Sequence, residues 1–239
     1  MVVALALAVA AMGLISVGRT ALDALARDPG GDGKTRVLFV GDSLMLGASG
    51  EIERRFEEAG AETRFVGGYG TGLLSGQGWW VREIEEQVDT WRPDVVVIEA
   101  CCNYGIGEPL FRTPEGVKVT PDTEDMYTWW AAQAEDAVDA AGAAGAAVSW
   151  VTAPAADDEL WPLYTERIPR FNEIVDDLGV ARIDWSATLT PEGTFRATAP
   201  IDGKDVRIRD ADGLHLTEAG NRLVVELTFE AIKDDLGLV

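Results

Sequence analysis

Apolar positions along this chain fall into two kinds of run. Short unbroken stretches occur at Arg36 to Val40, Asp94 to Ala100 (Asp-Val-Val-Val-Ile-Glu-Ala), Ala147 to Thr152 and Val180 to Asp184, with a briefer one at Thr63 to Val66. Such runs suit strands buried on both faces. Between them lie longer stretches with helical spacing. Leu46 to Ala59 stops at Gly60, and Trp80 to Trp91 puts Trp80, Ile84, Val88 and Trp91 on one face. Thr120-Pro121 predicts a helix start, with Thr as cap and Pro in the first position, running to about Ala144. Asp158 to Leu178 reads as helix interrupted near Pro162 and Pro169, and Thr217 caps a closing helix to about Asp235. Trp185 to Asp210 is irregular, with a hairpin expected around Asp202-Gly203. Strands alternating with helices predict an α/β fold, a parallel sheet with helices on both faces. No internal repeat is seen.

The first turns of the chain differ from the rest. Val2 to Val17 is apolar and uncharged; as a helix it would reach about 24 Å, against a hydrocarbon core of about 30 Å. It lacks the basic beginning of a secretory signal. Three readings stand: a retained membrane anchor, a signal cleaved after Ala24-Leu25-Ala26, or an accessory helix. Arg19 and Arg27 are offset by Asp23 and Asp28, so orientation is not set. Asp28 to Lys34 is rich in Gly and Pro and reads as a linker. The expected organisation is a hydrophobic segment at 1–17, a linker at 18–34 and one folded domain at 35–239, set outside the cytoplasm, either anchored or secreted.

Composition narrows the partners. Forty-one acidic residues against 20 basic ones give a net charge of −21, so nucleic acid is repelled over most of the surface. The excess reads as solubility or tolerance of high salt. Cys101 and Cys102 are neighbours and staple no distant parts of the fold; they read as small packing residues or, in an oxidising compartment, a vicinal disulfide. His215 is the only histidine, which excludes multi-histidine metal sites and makes it the sole imidazole for any chemistry. Neither metal nor cofactor is expected.

Candidate chemistry collects at the predicted strand ends. Gly41-Asp42-Ser43-Leu44 follows the first strand, where Ser43 is placed either to cap a helix or to act as a nucleophile. A serine hydroxyl needs a base, and only His215 offers an imidazole; Asp212, three residues earlier, is close enough to hold its other nitrogen. The oxyanion formed on attack needs donors. The N–H groups of Ser43 and Gly70 and the amide of Asn103 are candidates, with Gly68 and Gly72 competing for the place of Gly70. Asp42 reads as structural, tying its loop through the carboxylate.

Gly41-Asp42-Ser43-Leu44, the glycine loop at Gly70, Asn103 and Asp212-Gly213-Leu214-His215 together resemble the four blocks of the SGNH, or GDSL, hydrolases, in the family's order and over about residues 35 to 235. The third block departs: the family's Gly-x-Asn is here Cys101-Cys102-Asn103. The resemblance implies a flavodoxin-like three-layer sandwich with strand order 2-1-3-4-5. It also implies serine-dependent hydrolysis or transfer of acyl esters. Ser43 is then nucleophile, His215 base, Asp212 its partner, and Ser43, Gly70 and Asn103 the oxyanion hole.

With an anchored domain outside the membrane, O-acylated cell-surface sugars become the expected substrate class, and a small-molecule or glycan-borne ester the partner. The competing reading is a membrane-tethered binding domain that keeps the fold without the chemistry. A nucleotide site is disfavoured, because the loop has neither GxGxxG nor a Walker lysine. The pairs Trp79-Trp80 and Trp129-Trp130 are expected in the core, Trp161 and Trp185 lining a cleft, and Arg207 and Arg209 in salt bridges with nearby aspartates.

Overall fold

Strand β1 (Thr35–Gly41) explains the layering, because its side chains alternate between two cores. Val37 and Phe39 enter one cluster, with Ile52, Phe56 and Phe229; Leu38 and Val40 enter the other, with Trp80, Trp130 and Trp150. All four strand residues are fully buried. A strand covered on both faces must be apolar on both, hence the unbroken run. The structure is a computed structural model; it describes residues 33–101, 103 and 112–238. The expectations for Val2 to Val17, for most of the linker and for residues 104–111 of the loop after β3 lie outside the described residues.

Lys34–Val239 is one compact unit. β1 lies between β2 (Ala61–Gly67) and β3 (Val95–Glu99), followed by β4 (Ala147–Val151) and β5 (Ala181–Ile183), all parallel in the order β2-β1-β3-β4-β5. This is the predicted order. The hairpin also forms, from β6 (Thr198–Ile201) and β7 (Lys204–Arg207). Its corner residues Asp202 and Gly203 both have positive φ, as a two-residue type I′ turn requires.

Among the described residues the helices are α1 (Ser43–Glu58), α2 (Trp79–Trp91), α3 (Glu124–Gly142), α4 (Pro162–Asp177), the short α5 (Trp185–Leu189) and α6 (Glu218–Leu236). α1 and α6 cover the Phe39 face, where Phe39, Phe56 and Phe229 meet edge to face at 5.2 and 5.3 Å. α2, α3 and α4 cover the other face, with Trp80, Trp130 and Phe171 buried against the sheet. Among the described residues, no helix is long and apolar enough to cross a membrane.

Several helix ends differ from the sequence reading. α1 starts at Ser43, because Asp42 caps it by accepting the Leu44 N–H at 3.0 Å. α3 starts three residues after Pro121. Asp122 takes a positive φ, and Thr123 caps by accepting the Met126 N–H. Asp122 there grips Arg167 of α4 at 2.5 and 2.7 Å. Pro162 begins α4 at its first turn, where a missing N–H costs nothing, and Pro169 sits inside the helix without ending it.

Candidate active site

The strand order reverses between β1 and β3, and the crevice at their carboxyl ends is where an open α/β sheet places its ligands. Gly41 and Glu99 are paired across the two strands at that point. The chain leaves β1 through Gly41, where a Cβ would fall 2.2 Å from the Met45 Cβ and 3.0 Å from the Glu99 carbonyl. Only glycine lets α1 begin so close to the sheet. Ser43 is therefore the first helical residue. The alternative of Ser43 as helix cap does not hold, since Asp42 fills that role.

From the far end of the chain, a tight loop brings in Asp212 and His215. His215 Nε2 lies 2.9 Å from Ser43 Oγ, and His215 Nδ1 lies 2.6 Å from Asp212 Oδ2. With the proton on Nδ1, the ring donates to Asp212 and accepts the Ser43 hydroxyl. Asp212 Oδ1 also accepts the N–H groups of Leu214 and His215 at 2.9 and 3.0 Å. Burial raises the Asp212 pKa, but these hydrogen bonds, led by the one from the His215 side chain, outweigh it and hold the group below the usual aspartate value. The side chains of His215 and Asp212 are 38% and 42% exposed, so this hydrogen-bonded line opens to water.

The loop is held from outside. Arg209, fully buried, donates to the carbonyls of Leu214 at 2.6 Å and Ala155 at 2.5 Å. Burial lowers its pKa to about 10. Arg207 Nε donates to the Arg209 carbonyl. Among the described residues neither arginine pairs with an aspartate, contrary to the sequence expectation; closing the loop leaves main-chain carbonyls facing inward, and these take the guanidinium donors instead. Trp161 borders the site as expected, its indole N–H donating to the Asp212 carbonyl at 2.6 Å. Trp185 does not line a cleft: it is fully buried and donates to Thr228 Oγ1 at 3.0 Å. Trp80 and Trp130 are core residues as predicted, with Trp79 and Trp129 packed against that core.

The donors expected to form an oxyanion hole come together from three strand ends. Thr71 donates to the Gly68 carbonyl through N–H at 3.3 Å and Oγ1 at 2.6 Å. Gly70 occupies the third place of that turn with φ +67°, where a type II turn calls for glycine. Gly68 and Gly72 have no positive φ, so of the three only Gly70 fills a turn position that requires glycine. Among the described residues no group accepts the N–H of Ser43 or of Gly70. Asn103 is buried, and its Nδ2 donates to Asp42 Oδ2 at 2.9 Å and to the Thr71 carbonyl at 2.8 Å. Its amide thus ties all three loops together. Cys101 beside it is buried and disulfide-bonded, not a free packing thiol. Cys102, the only other cysteine of the chain, lies outside the described residues.

Sequence reasoning passed over Glu99. It ends β3 only 1% exposed, with its Oε2 accepting the Asp42 N–H at 3.2 Å. The signal was present: a glutamate closing the run Val-Val-Val-Ile in the most apolar strand of the chain.

A family model described as "Protein of unknown function (DUF459)" matches residues 36–231. The chain belongs to the DUF459 family. No curated protein matches this chain. Among solved structures, it is similar to a GDSL-like lipase from Bacteroides thetaiotaomicron, with 15% identity and a TM-score of 0.58 over 92% of this chain and 98% of the other. It is similar also to an acetyl xylan esterase, with 18% identity and a TM-score of 0.56 over 82% and 99%. A third similar structure is a carbohydrate esterase family 3 protein from Talaromyces cellulolyticus, with 14% identity and a TM-score of 0.54 over 85% and 98%. The fold of this DUF459 member is that of the SGNH/GDSL hydrolases. Among its described residues no group of histidine, cysteine, aspartate and glutamate is arranged to hold a metal ion.

Proposed function

We propose that this DUF459 member is a serine-dependent hydrolase of carboxylic acyl esters, working through an acyl-Ser43 intermediate. One observation carries the reading: the continuous line from Asp212 Oδ2 through His215 to Ser43 Oγ, with steps of 2.6 and 2.9 Å. A binding domain that had lost its chemistry would have no reason to keep that line joined across 172 residues.

In the reading, His215 Nε2 takes the Ser43 proton as Oγ attacks the ester carbonyl carbon. The carbonyl π pair moves onto oxygen, which is met by the N–H groups of Ser43 and Gly70. Asn103, whose amide hydrogens already serve Asp42 and Thr71, supports the third position by sharing one of them. Collapse of the tetrahedral species expels the alcohol, which takes the proton from Nε2. Water then repeats the sequence on the acyl-serine, with His215 again as base, and releases the acid. Transfer of the acyl group to a sugar hydroxyl would differ only in the second acceptor. The partial exposure of His215 and Asp212 favours water.

For the substrate, O-acylated sugars outside the cytoplasm are the class proposed. The supports are the names of the neighbouring esterases, an apolar segment at residues 2–17 able to hold the protein at a membrane, and a net charge of −21 that disfavours nucleic acid. The exposed side chains of Tyr69, next to Gly70, and Leu160, next to Trp161, offer apolar contact at the surface. Purified protein is expected to hydrolyse a short-chain nitrophenyl ester, and Ser43→Ala to abolish that activity with the circular dichroism spectrum unchanged. Hydrolysis undiminished in Ser43→Ala would overturn the mechanism.

A further inference from the structure

Beneath Ser43 lies a second pair of carboxyl groups that the acyl-transfer steps do not use. Asp42 and Glu99 are each 1% exposed and sit where β1 and β3 end side by side. Asp42 has no oxygen to spare. Oδ1 accepts the Leu44 N–H at 3.0 Å and Oδ2 accepts the Asn103 amide at 2.9 Å. It therefore behaves as an anion, an acceptor on both sides. Glu99 accepts the Asp42 N–H on Oε2, while Oε1 is buried with no hydrogen-bond partner among the described residues. Among those residues no lysine or arginine forms an ion pair with it. Two carboxylates in contact, away from water, cannot both be charged without a large penalty.

We infer that Glu99 is a positioning residue for the oxyanion hole: it keeps its proton at neutral pH and holds the Asp42 anion, which in turn fixes the Asn103 amide and the first turn of α1. This deepens the acyl-ester reading and rests on it for its catalytic consequence. The electrostatics agree. Burial pushes both carboxyl groups up, Asp42 to about 6 despite its hydrogen bonds, and Glu99 well above the ordinary glutamate value, with the Asp42 charge adding to its burial. Asp42, both of whose oxygens accept hydrogen bonds, loses its proton before Glu99, whose Oε1 has no partner among the described residues. The other groups facing the pair do not reverse this order. From α4, the buried phenol of Tyr164 is itself pushed up, by burial and by the charges of Asp42 and Glu99. His215 lies near enough to stabilise the Asp42 charge, while Arg209 directs its two terminal nitrogens to carbonyls and is felt at Tyr164.

Three readouts on the full chain test this. In infrared spectra at neutral pH, the carbonyl stretch of a neutral carboxylic acid should be present in the wild type and missing in Glu99→Gln. The side-chain amide signal of Asn103, followed by NMR, should move in Glu99→Leu and stay near its wild-type position in Glu99→Gln, whose uncharged side-chain oxygen can accept the Asp42 N–H as Glu99 Oε2 does. With a nitrophenyl ester, Glu99→Leu should lower kcat roughly tenfold to a hundredfold with KM little changed, as expected when a donor that acts in the transition state is misplaced. Glu99→Gln should recover most of that loss and should lack any alkaline fall in kcat that Glu99 ionisation causes in the wild type. A missing acid band, an Asn103 signal indifferent to Glu99→Leu, or a Glu99→Leu variant with wild-type kcat would each overturn the inference. If the wild type hydrolyses no ester, the acyl reading falls, and the infrared and NMR results still decide whether Glu99 holds the proton and Asn103.

Discussion

The indole N–H of Trp161 donates to the main-chain oxygen of Asp212 at 2.6 Å. The residue that opens α4 thereby steadies the loop that carries the base of the proposed triad. Trp161→Phe keeps the ring and removes the donor. One hydrogen bond contributes roughly 0.5–1.5 kcal/mol net, so kcat/KM for a nitrophenyl ester is expected to fall about two- to tenfold. Steady-state kinetics on the two proteins check it.

Asp212→Asn leaves a side chain of the same shape that can no longer hold the imidazole with its proton on Nδ1. A loss of roughly 10²–10⁴-fold in kcat is expected, with little change in KM. His215→Ala should cost at least as much, because the chain has no second histidine.

Arg209 is a charge buried against carbonyls, so its removal exposes those carbonyls to an environment without donors. Arg209→Met should lower the stability of the folded state by about 1–3 kcal/mol for each carbonyl left unpaired. Those carbonyls belong to Leu214 and Ala155. Thermal or urea unfolding measures the loss, and a melting temperature equal to that of the wild type would refute the clamp.

The Asp42–Glu99 pair also has a signature in stability. Both carboxyl groups have folded-state pKa values above their ordinary ones, through burial first. Between the two values the folded protein binds more protons than the unfolded chain, so the pair stabilises most at low pH and that contribution is lost as pH rises. Glu99→Gln removes one of the two titrations. Its stability relative to the wild type should therefore grow by about 1.4 kcal/mol per pH unit above the ordinary glutamate range. Taking the difference between the two proteins cancels the effect of the carboxylates that do not touch the pair. Urea unfolding near pH 5 and near pH 7 reads it; a flat difference would show that Glu99 ionises normally.

Much of this was legible in the sequence, and the exceptions have physical reasons. The strands are legible because both faces of β1 and β3 are covered, so the positions inside each strand form an unbroken apolar run. Ser43, Asp212 and His215 were legible because each sits beside an element end and because there is one histidine to choose. The start of α3 was misplaced because Thr120-Pro121 imitates a capped first turn, whereas Thr123 makes the cap. The irregular surroundings of Trp185 suggest a cleft residue, but α5 folds it into the core. The partners of Arg209 were out of reach, since carbonyls leave no mark in a sequence. Glu99 was visible as a lone charge in an apolar strand, yet its meaning depends on Asp42 lying across the sheet, 57 residues away.

The central claim is that Ser43 is a nucleophile activated by His215. A fluorophosphonate probe tests it most directly, since it reports the reactive oxygen without knowledge of the acyl group. The folded protein should gain the mass of one adduct, mapped by peptide analysis to Ser43, and Ser43→Ala and His215→Ala should gain none. A folded wild-type protein that takes no adduct, or an adduct that persists in Ser43→Ala, would contradict it.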